Sequence, residues 1–212
     1  MDLARYIDHS ILKPNTTLKE LEEQVIKAIE LGVYAVCVNP FHVRRAVELS
    51  RGKLVVCSVV SFPFGLHTKE QKLIEALQAL EDGAVELDIV MNISAFKSGL
   101  YNYVEEELKA LSRNTEGAVR KVIIETAYLT EEEKKLAVEM IKLAGMEFVK
   151  TSTGYAPQGA TEEDIRLLAS LSEGRLKVKA SGGIRSREQA IKFIELGANR
   201  IGTSATFDIL KA

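Results

Sequence analysis

Short apolar runs alternate with amphipathic segments along most of the chain. The runs are rich in β-branched residues and only a few residues long, which is typical of buried parallel strands. We predict strands at residues 34–38, 54–60, 84–90, 122–125, 148–151, 176–179 and 200–202, and a weaker one at 7–9.

The segments between these strands carry helix start and stop signals. At four starts a threonine or serine precedes a polar or acidic first turn, as N-cap residues do: Thr17, Thr130, Thr161 and Ser186. At four ends a glycine stands just before the next strand: Gly32, Gly83, Gly145 and Gly197. The chain therefore reads as a repeat of about eight strand–helix units.

Eight such units predict an α/β protein with a single (β/α)8 TIM barrel over residues 1–212. A doubly wound open sheet is the alternative. Such sheets usually carry a glycine-rich loop after the first strand, and the segment His9–Pro14 contains no glycine.

Composition excludes several classes of function. The net charge is −2, so no basic excess indicates nucleic-acid binding, and no apolar run approaches the length of a membrane span. The N-terminus lacks a signal-peptide pattern, so we expect a cytoplasmic protein. Two cysteines and three histidines are a poor ligand inventory, and we expect no metal and no cofactor.

Polar residues interrupt the predicted strands near their carboxyl ends, where barrel enzymes carry their sites. They are Asp8, Cys37, Asp88, Lys150 and Lys179. Lysines on adjacent strands are close neighbours, and repulsion between two ammonium groups makes one of them easier to deprotonate. A neutral lysine forms Schiff bases with carbonyl compounds. The alternative is that each lysine reaches solvent from a strand end.

Small residues follow the three last predicted strands. Backbone amides in such loops can hold a phosphate group, and the helix that follows favours the anion. The candidate residues are Thr153, Gly154, Ser181, Gly182, Gly183, Arg185, Gly202 and Ser204. Tight turns that merely need glycine are the alternative.

Several polar residues keep two interpretations each. His9 could be a general acid or a hydrogen-bonded structural residue, and Glu125 could serve the site or a nearby ion pair. Cys37 and Cys57 are more typical of packing than of nucleophilic chemistry. Lys177 shares the strand face of Lys179 but lies deeper in the barrel.

Over nearly its whole length the sequence resembles the deoxyribose-phosphate aldolase family. The matching segments are DHSILKP at 8–14, VCVNP at 36–40, SFPFG at 61–65, ELDIVMN at 86–92, KSG at 97–99, VIIET at 122–126, VKTSTG at 149–154 and VKASGGIR at 178–185. The two lysine motifs, in this order and at this separation, are highly specific as a pair.

The resemblance implies a class I aldolase on a (β/α)8 barrel that uses no metal. In such an enzyme Lys150 forms the Schiff base, Lys179 lowers the pKa of its neighbour, and Asp88 relays protons through a water molecule. Asp8 and Cys37 match pocket positions of the family. The implied substrate is 2-deoxy-D-ribose 5-phosphate, cleaved to D-glyceraldehyde 3-phosphate and acetaldehyde, and the implied assembly is a homodimer or homotetramer.

The sequence departs from the family pattern at two places. Many relatives carry a C-terminal tail that ends in tyrosine, whereas this sequence ends at Lys211-Ala212, and some have a second serine where Ala205 stands. Two other functions stay open at this stage. One is a transaldolase-like Schiff-base enzyme for a different phosphosugar, which need not share the second lysine, and the other is a barrel that only binds a phosphorylated ligand.

Overall fold

The computed structural model describes residues 1–211, and its strands form one closed barrel. All eight strands are parallel, each pairs with the next along the chain, and the last pairs with the first. The strands are β1 Ile7–Ile11, β2 Ala35–Val38, β3 Val55–Val60, β4 Glu86–Val90, β5 Val119–Ile123, β6 Phe148–Lys150, β7 Lys177–Ser181 and β8 Arg200–Thr203. The predicted (β/α)8 architecture is confirmed; Ala212 lies outside the described residues.

Helices surround the barrel and connect its strands. They are α1 Leu18–Glu30, α2 Val43–Ser50, α3 Lys69–Glu81, α4 Ile93–Lys97, α5 Tyr101–Asn114, α6 Glu131–Ala144, α7 Glu162–Ser172, α8 Arg187–Glu195 and α9 Thr206–Lys211. Short 3-10 turns lie at Leu3–Tyr6, Pro40–His42 and Thr126–Tyr128. None of the described helices is both long and apolar enough to cross a membrane.

The predicted helix boundaries are confirmed at their caps. Each of the four predicted N-cap side chains accepts a hydrogen bond from a backbone amide in the first turn of its helix: Thr17, Thr130, Thr161 and Ser186. Loss of one such cap typically costs about 1 kcal/mol of stability. The four predicted closing glycines all have positive φ, a conformation in which other residues are strained.

Two strands differ from the prediction in a way that affects the site. β5 begins at Val119 rather than at residue 122, because the pair Arg120-Lys121 belongs to the strand. Arg120 faces outward and bonds Glu147, while Lys121 is fully buried inside the barrel. β7 continues to Ser181, whose register partner on β8 is Gly202. Lys179 therefore lies within its strand instead of at its end.

The apolar core lies mainly between the barrel and the helices. Residues such as Leu21 and Val25 of α1 and Ile141 of α6 are fully buried there against the outer faces of the strands. The inward-facing positions of the strands include many charged groups. This division puts ionisable chemistry inside the barrel, where water is scarce.

Candidate active site

Lys150 and Lys179 meet inside the barrel on one carboxylate. They are register partners across β6 and β7, so their predicted proximity is confirmed. The Lys150 ammonium donates to Oδ2 of Asp88 at 2.6 Å, and the Lys179 ammonium donates to the same oxygen at 2.7 Å. Lys150 is 2% exposed and Lys179 is fully buried, so the alternative of solvated lysines is excluded.

Asp88 is held as a carboxylate by the lysines around it. Burial alone would raise the pKa of this group. The ammonium groups of Lys121, Lys150 and Lys179 outweigh burial and hold the pKa well below its ordinary value. Asp88 is thus a fixed anion at the centre of the site.

Lys179 is held as a cation by two carboxylates. Its ammonium donates to Oδ2 of Asp8 at 2.5 Å in addition to Asp88. Burial acts to lower the pKa of Lys179, but Asp8 and Asp88 outweigh it and raise the pKa above its ordinary value. Gly202 leaves room for this side chain, because a Cβ atom there would lie 3.0 Å from Cε of Lys179.

A third buried lysine belongs to this site and was not predicted from the sequence. Lys121 is fully buried, and its ammonium donates to Oδ1 of Asp88 at 2.9 Å and forms an ion pair with Glu86 at 2.5 Å. Arg200 was also missed; it donates to Oδ1 of Asp8 at 2.8 Å and lies 3.6 Å from the centroid of the Tyr34 ring. Strand alternation could have found Lys121, since it shares a face with Ile123, the register partner of Lys150.

We call these connected side chains the interior cluster. Among the described residues it contains four cations and three carboxylates. Its members are Asp8, Glu86, Asp88, Lys121, Lys150, Lys179 and Arg200.

A cavity of about 590 Å³ lies above the interior cluster at the carboxyl ends of the strands. Nine of the predicted site residues line it: Lys150, Thr153, Gly154, Ser181, Gly182, Gly183, Arg185, Gly202 and Ser204. The other four, Asp8, Cys37, Asp88 and Lys179, are fully buried and do not line it. Within residues 1–211, Lys150 is the one member of the interior cluster that lines the cavity.

The loops after β6 and β7 approach each other closely at the cavity wall. Gly182 has φ +88°, and a Cβ atom there would lie 3.0 Å from Cα of Gly159. Gly183 has φ +75° and open space around its Cα, so its backbone is accessible from the cavity. These glycines are therefore required by turn geometry as well as suited to anion contact.

Glu125 fixes the loop that follows Lys150. Its carboxylate accepts hydrogen bonds from the backbone amide of Thr153 at 3.1 Å and from the Thr153 hydroxyl at 2.5 Å. Burial raises the pKa of Glu125 despite these hydrogen bonds and the nearby Lys150. Glu125 thus orients a cavity residue instead of forming a separate ion pair.

Cys37 and Cys57 lie behind Asp88. Their Sγ atoms are 3.8 Å apart, and Cys57 donates to Oδ1 of Asp88 at 3.2 Å. Burial raises the pKa of Cys57 well above its ordinary value, so this group is a thiol. The ligand atoms of the two cysteines and Asp88 lie within 4.8 Å of one another, as metal ligands do, but the Lys121 ammonium already contacts Cys57 and Asp88.

His9 has a structural environment. Its ring nitrogens are hydrogen-bonded with the Thr206 hydroxyl at 2.9 Å and with Oε1 of Gln24 at 3.1 Å. Burial lowers the pKa of His9 to about 4, so the ring is neutral at pH 7 and connects β1 to α9. Lys177 is exposed at the start of β7 and does not belong to the interior cluster.

Comparison with known proteins places this architecture in one family. The model of the DeoC/LacD family of aldolases matches residues 3–211. The chain is similar to the deoxyribose-phosphate aldolase of Aquifex aeolicus, with 56% identity over 99% of this chain and 95% of the relative. It is 51% identical to the enzyme of that name from Thermococcus gammatolerans, over 100% of this chain and 96% of the relative.

Solved structures agree with the sequence comparisons. The aldolase QR15 superposes with a TM-score of 0.97 at 55% identity, covering 100% of this chain and 95% of QR15. The tetrameric deoxyribose phosphate aldolase from Aeropyrum pernix superposes with a TM-score of 0.93 at 34% identity, covering 99% of this chain and 89% of that chain. The resemblance stated from the sequence motifs is confirmed.

Proposed function

The chain belongs to the DeoC/LacD family of aldolases, and we propose that it cleaves 2-deoxy-D-ribose 5-phosphate reversibly to D-glyceraldehyde 3-phosphate and acetaldehyde. We assign the covalent chemistry to a Schiff base on Lys150. The observation that carries this assignment is that Lys150 is the one member of the interior cluster that also lines the cavity, among the described residues.

The first step needs Lys150 as a neutral amine. With Lys150 uncharged, three cations in the interior cluster balance three carboxylates, so the buried cluster as a whole carries no net charge. The amine attacks the aldehyde carbon C1 of the sugar, and loss of water gives an iminium. Lys179 stays an ammonium beside it and disfavours a second positive charge on Lys150.

The iminium then accepts the electrons of the broken carbon–carbon bond. The C3 hydroxyl gives up its proton, C3 becomes the aldehyde of glyceraldehyde 3-phosphate, and the C2–C3 electron pair moves into an enamine on Lys150. Protonation of the enamine at C2 and hydrolysis release acetaldehyde and restore the amine. Asp88 is the anion beside Lys150, and we assign it the transfer of these protons through a water molecule.

The phosphate end of the substrate fits the far side of the cavity. Gly182, Gly183, Arg185 and Ser204 all line the cavity, and we assign their backbone amides, guanidinium and hydroxyl to the phosphate. Binding energy from the phosphate can hold C1 of the sugar near Lys150, which raises the rate without any further catalytic group. Asp8 and Cys37 act from beneath the cavity, through Lys179 and Asp88 respectively.

A transaldolase-like reaction on another phosphosugar is disfavoured by the second lysine. Lys179 shares an oxygen of Asp88 with Lys150, and the named relatives at 56% and 51% identity are deoxyribose-phosphate aldolases. A barrel that only binds a ligand would have no use for a buried cluster with an amine at the cavity floor.

Reductive trapping tests the proposal. The protein is incubated with 2-deoxyribose 5-phosphate, reduced with borohydride, digested and mapped by mass spectrometry. We expect a single modified peptide that carries the adduct on Lys150, and none from Lys150→Met. An active wild-type protein without an adduct, or an adduct on another lysine, contradicts the assignment. Consumption of both acetaldehyde and glyceraldehyde 3-phosphate in the condensation direction identifies the substrate pair.

We further propose that the chain assembles as a homodimer or homotetramer. The support is a relative at 34% identity whose structure is described as tetrameric. Light scattering coupled to gel filtration tests this, and a monomeric mass across the assay concentrations contradicts it. The cytoplasmic location expected from the sequence stays a prediction.

A further inference from the structure

We propose that Lys121 is a positioning residue for the aldolase reaction: it holds one oxygen of Asp88 so that the other faces Lys150 and Lys179. Lys121 does not line the cavity and has no path to the substrate, so it acts only through Asp88. This inference rests on the proposed function, because it assigns Asp88 and Lys150 to the same reaction.

The two oxygens of Asp88 have separate partners. Oδ2 accepts from the ammonium groups of Lys150 and Lys179. Oδ1 accepts from Lys121 at 2.9 Å and from the thiol of Cys57 at 3.2 Å. Because both oxygens of the carboxylate are hydrogen-bonded, Asp88 cannot rotate without breaking hydrogen bonds on both of them in a buried site.

Lys121 is itself fixed by its neighbours. It forms an ion pair with Glu86, two residues before Asp88 on β4, and contacts Sγ of Cys57 on β3 at 3.5 Å. Burial disfavours the charge on Lys121, yet the carboxylates of Asp88, Asp8 and Glu86 together raise its pKa well above the ordinary value. Lys121 is therefore a permanent cation at the rear of the catalytic carboxylate.

Charged and titratable groups on the other seven strands connect to Asp88 directly or through one or two intervening side chains. They are Asp8 on β1, Cys37 on β2, Cys57 on β3, Lys121 on β5, Lys150 on β6, Lys179 on β7 and Arg200 on β8. Glu86 completes the set on β4 itself. Removing one cation makes every proton in this set harder to remove, and removing one anion makes it easier.

The test measures the pH profile of kcat/KM for cleavage and of reductive trapping at Lys150. In Lys121→Met we expect the acidic limb of both profiles to move up by about one pH unit, kcat to fall about tenfold, and KM to change less than threefold. Glu86→Gln leaves the hydrogen bond from Lys121 to Asp88 in place, and in this variant we expect the acidic limb of both profiles to move to lower pH. A change in packing alone would not produce shifts of opposite sign.

Another buried lysine, outside the interior cluster, provides a matched control. Lys72 is fully buried, pairs with the buried Glu107 at 2.8 Å, and donates to the backbone carbonyl of Val90 at the end of β4 at 2.8 Å. Its ammonium forms no ion pair with any member of the interior cluster in the part of the chain that the structure describes. Lys72→Met and Glu107→Gln remove the same groups at comparable burial. We expect both to leave the acidic limb in place, even where they lower the melting temperature.

The outcomes separate the two claims. A wild-type protein that gives no Lys150 adduct overturns the proposed function and this inference with it. A wild-type protein that gives the adduct, with a folded Lys121→Met whose acidic limb is unmoved, overturns the inference alone. If Lys121→Met does not fold, the pH profile of Glu86→Gln is the test. An acidic limb that stays in place or moves to higher pH in that variant also overturns the inference about Lys121.

Discussion

Two buried lysine–carboxylate sites in this protein have opposite electrostatics. Between α3 and α5, Lys72 faces Glu107 as one cation and one anion; burial lowers the pKa of Lys72 and raises that of Glu107, so each is displaced toward its neutral form. In the interior cluster the pKa of Lys179 is raised and that of Asp88 is lowered, so each is displaced toward its charged form.

The difference is the number of counter-charges and not the depth of burial. Lys179, Asp88, Lys72 and Glu107 are all fully buried. Glu107 has a single ammonium partner, and its Oε1 has no hydrogen-bond partner, whereas Asp88 has three ammonium donors. One partner does not offset desolvation, and several do. Burial alone therefore does not identify a reactive lysine, because the number of carboxylates around it decides whether its charged or its neutral form is favoured.

Neutralising the carboxylate in each site should give the largest contrast. Asp88→Asn leaves three ammonium groups without their shared anion, and we expect kcat/KM to fall about 10²–10⁴-fold and stability to fall by about 3–5 kcal/mol. Glu107→Gln leaves one lysine that can lose its proton, so we expect activity within twofold of wild type. Steady-state kinetics and urea unfolding check both. Comparable activity losses in Asp88→Asn and Glu107→Gln would contradict the proposed difference between the two buried sites.

Acid unfolding should separate the two sites by sign. The folded-state pKa of Asp8 lies below its ordinary value of 3.8, so the stability it contributes is present above that pH and is lost as the pH falls toward the folded pKa. The pKa of Glu107 lies above its reference of 4.5, so this group instead costs stability above that pH and regains it on protonation.

We therefore expect Asp8→Asn to flatten the fall in unfolding free energy below pH 3.8, because it removes the contribution that is lost when Asp8 takes up a proton. Glu107→Gln should steepen the fall above pH 4.5, since it removes a contribution of opposite sign. Urea titrations at a series of pH values measure both slopes. Slopes that change in the same direction would contradict the account.

Glu125 provides an intermediate case and the smallest expected effect. It is a buried carboxylate with a raised pKa, but its donors are the amide and hydroxyl of Thr153 and not an ammonium group. Glu125→Gln keeps the shape and weakens these hydrogen bonds, so we expect KM to rise about threefold to tenfold, equivalent to about 1 kcal/mol, with kcat nearly unchanged. A loss confined to kcat would instead make Glu125 part of the chemistry.

The barrel and much of the site could be predicted because their signals are local. Thr17, Thr130 and Ser186 cap helices through contacts with the next few residues. The count of eight βα units, with no glycine-rich loop after the first strand, favoured the closed sheet over an open one. Lys150 and Lys179 stood out as polar positions in otherwise apolar strands, and their adjacency followed from strand order.

The interior cluster could not be predicted as a whole because its contacts are distant in sequence. Asp8 and Lys179 meet across almost the whole chain, and nothing local to either residue indicates the other. Lys121 was missed because the predicted strand began at residue 122 and left out Arg120 and Lys121, of which Arg120 bonds Glu147 on the outside of the barrel. The register of β4 with β5, which pairs Asp88 with Lys121, places this third lysine against the carboxylate.

The most direct test of the central claim compares Lys150 with and without its cationic neighbour. The rate at which acetaldehyde is trapped on Lys150 by cyanoborohydride is measured against pH in wild type and in Lys179→Leu, with the Lys72→Met variant as control. The account predicts that loss of the Lys179 ammonium moves the rise of trapping to higher pH or abolishes it, while Lys72→Met follows wild type. Superimposable profiles for wild type and a folded Lys179→Leu would contradict it.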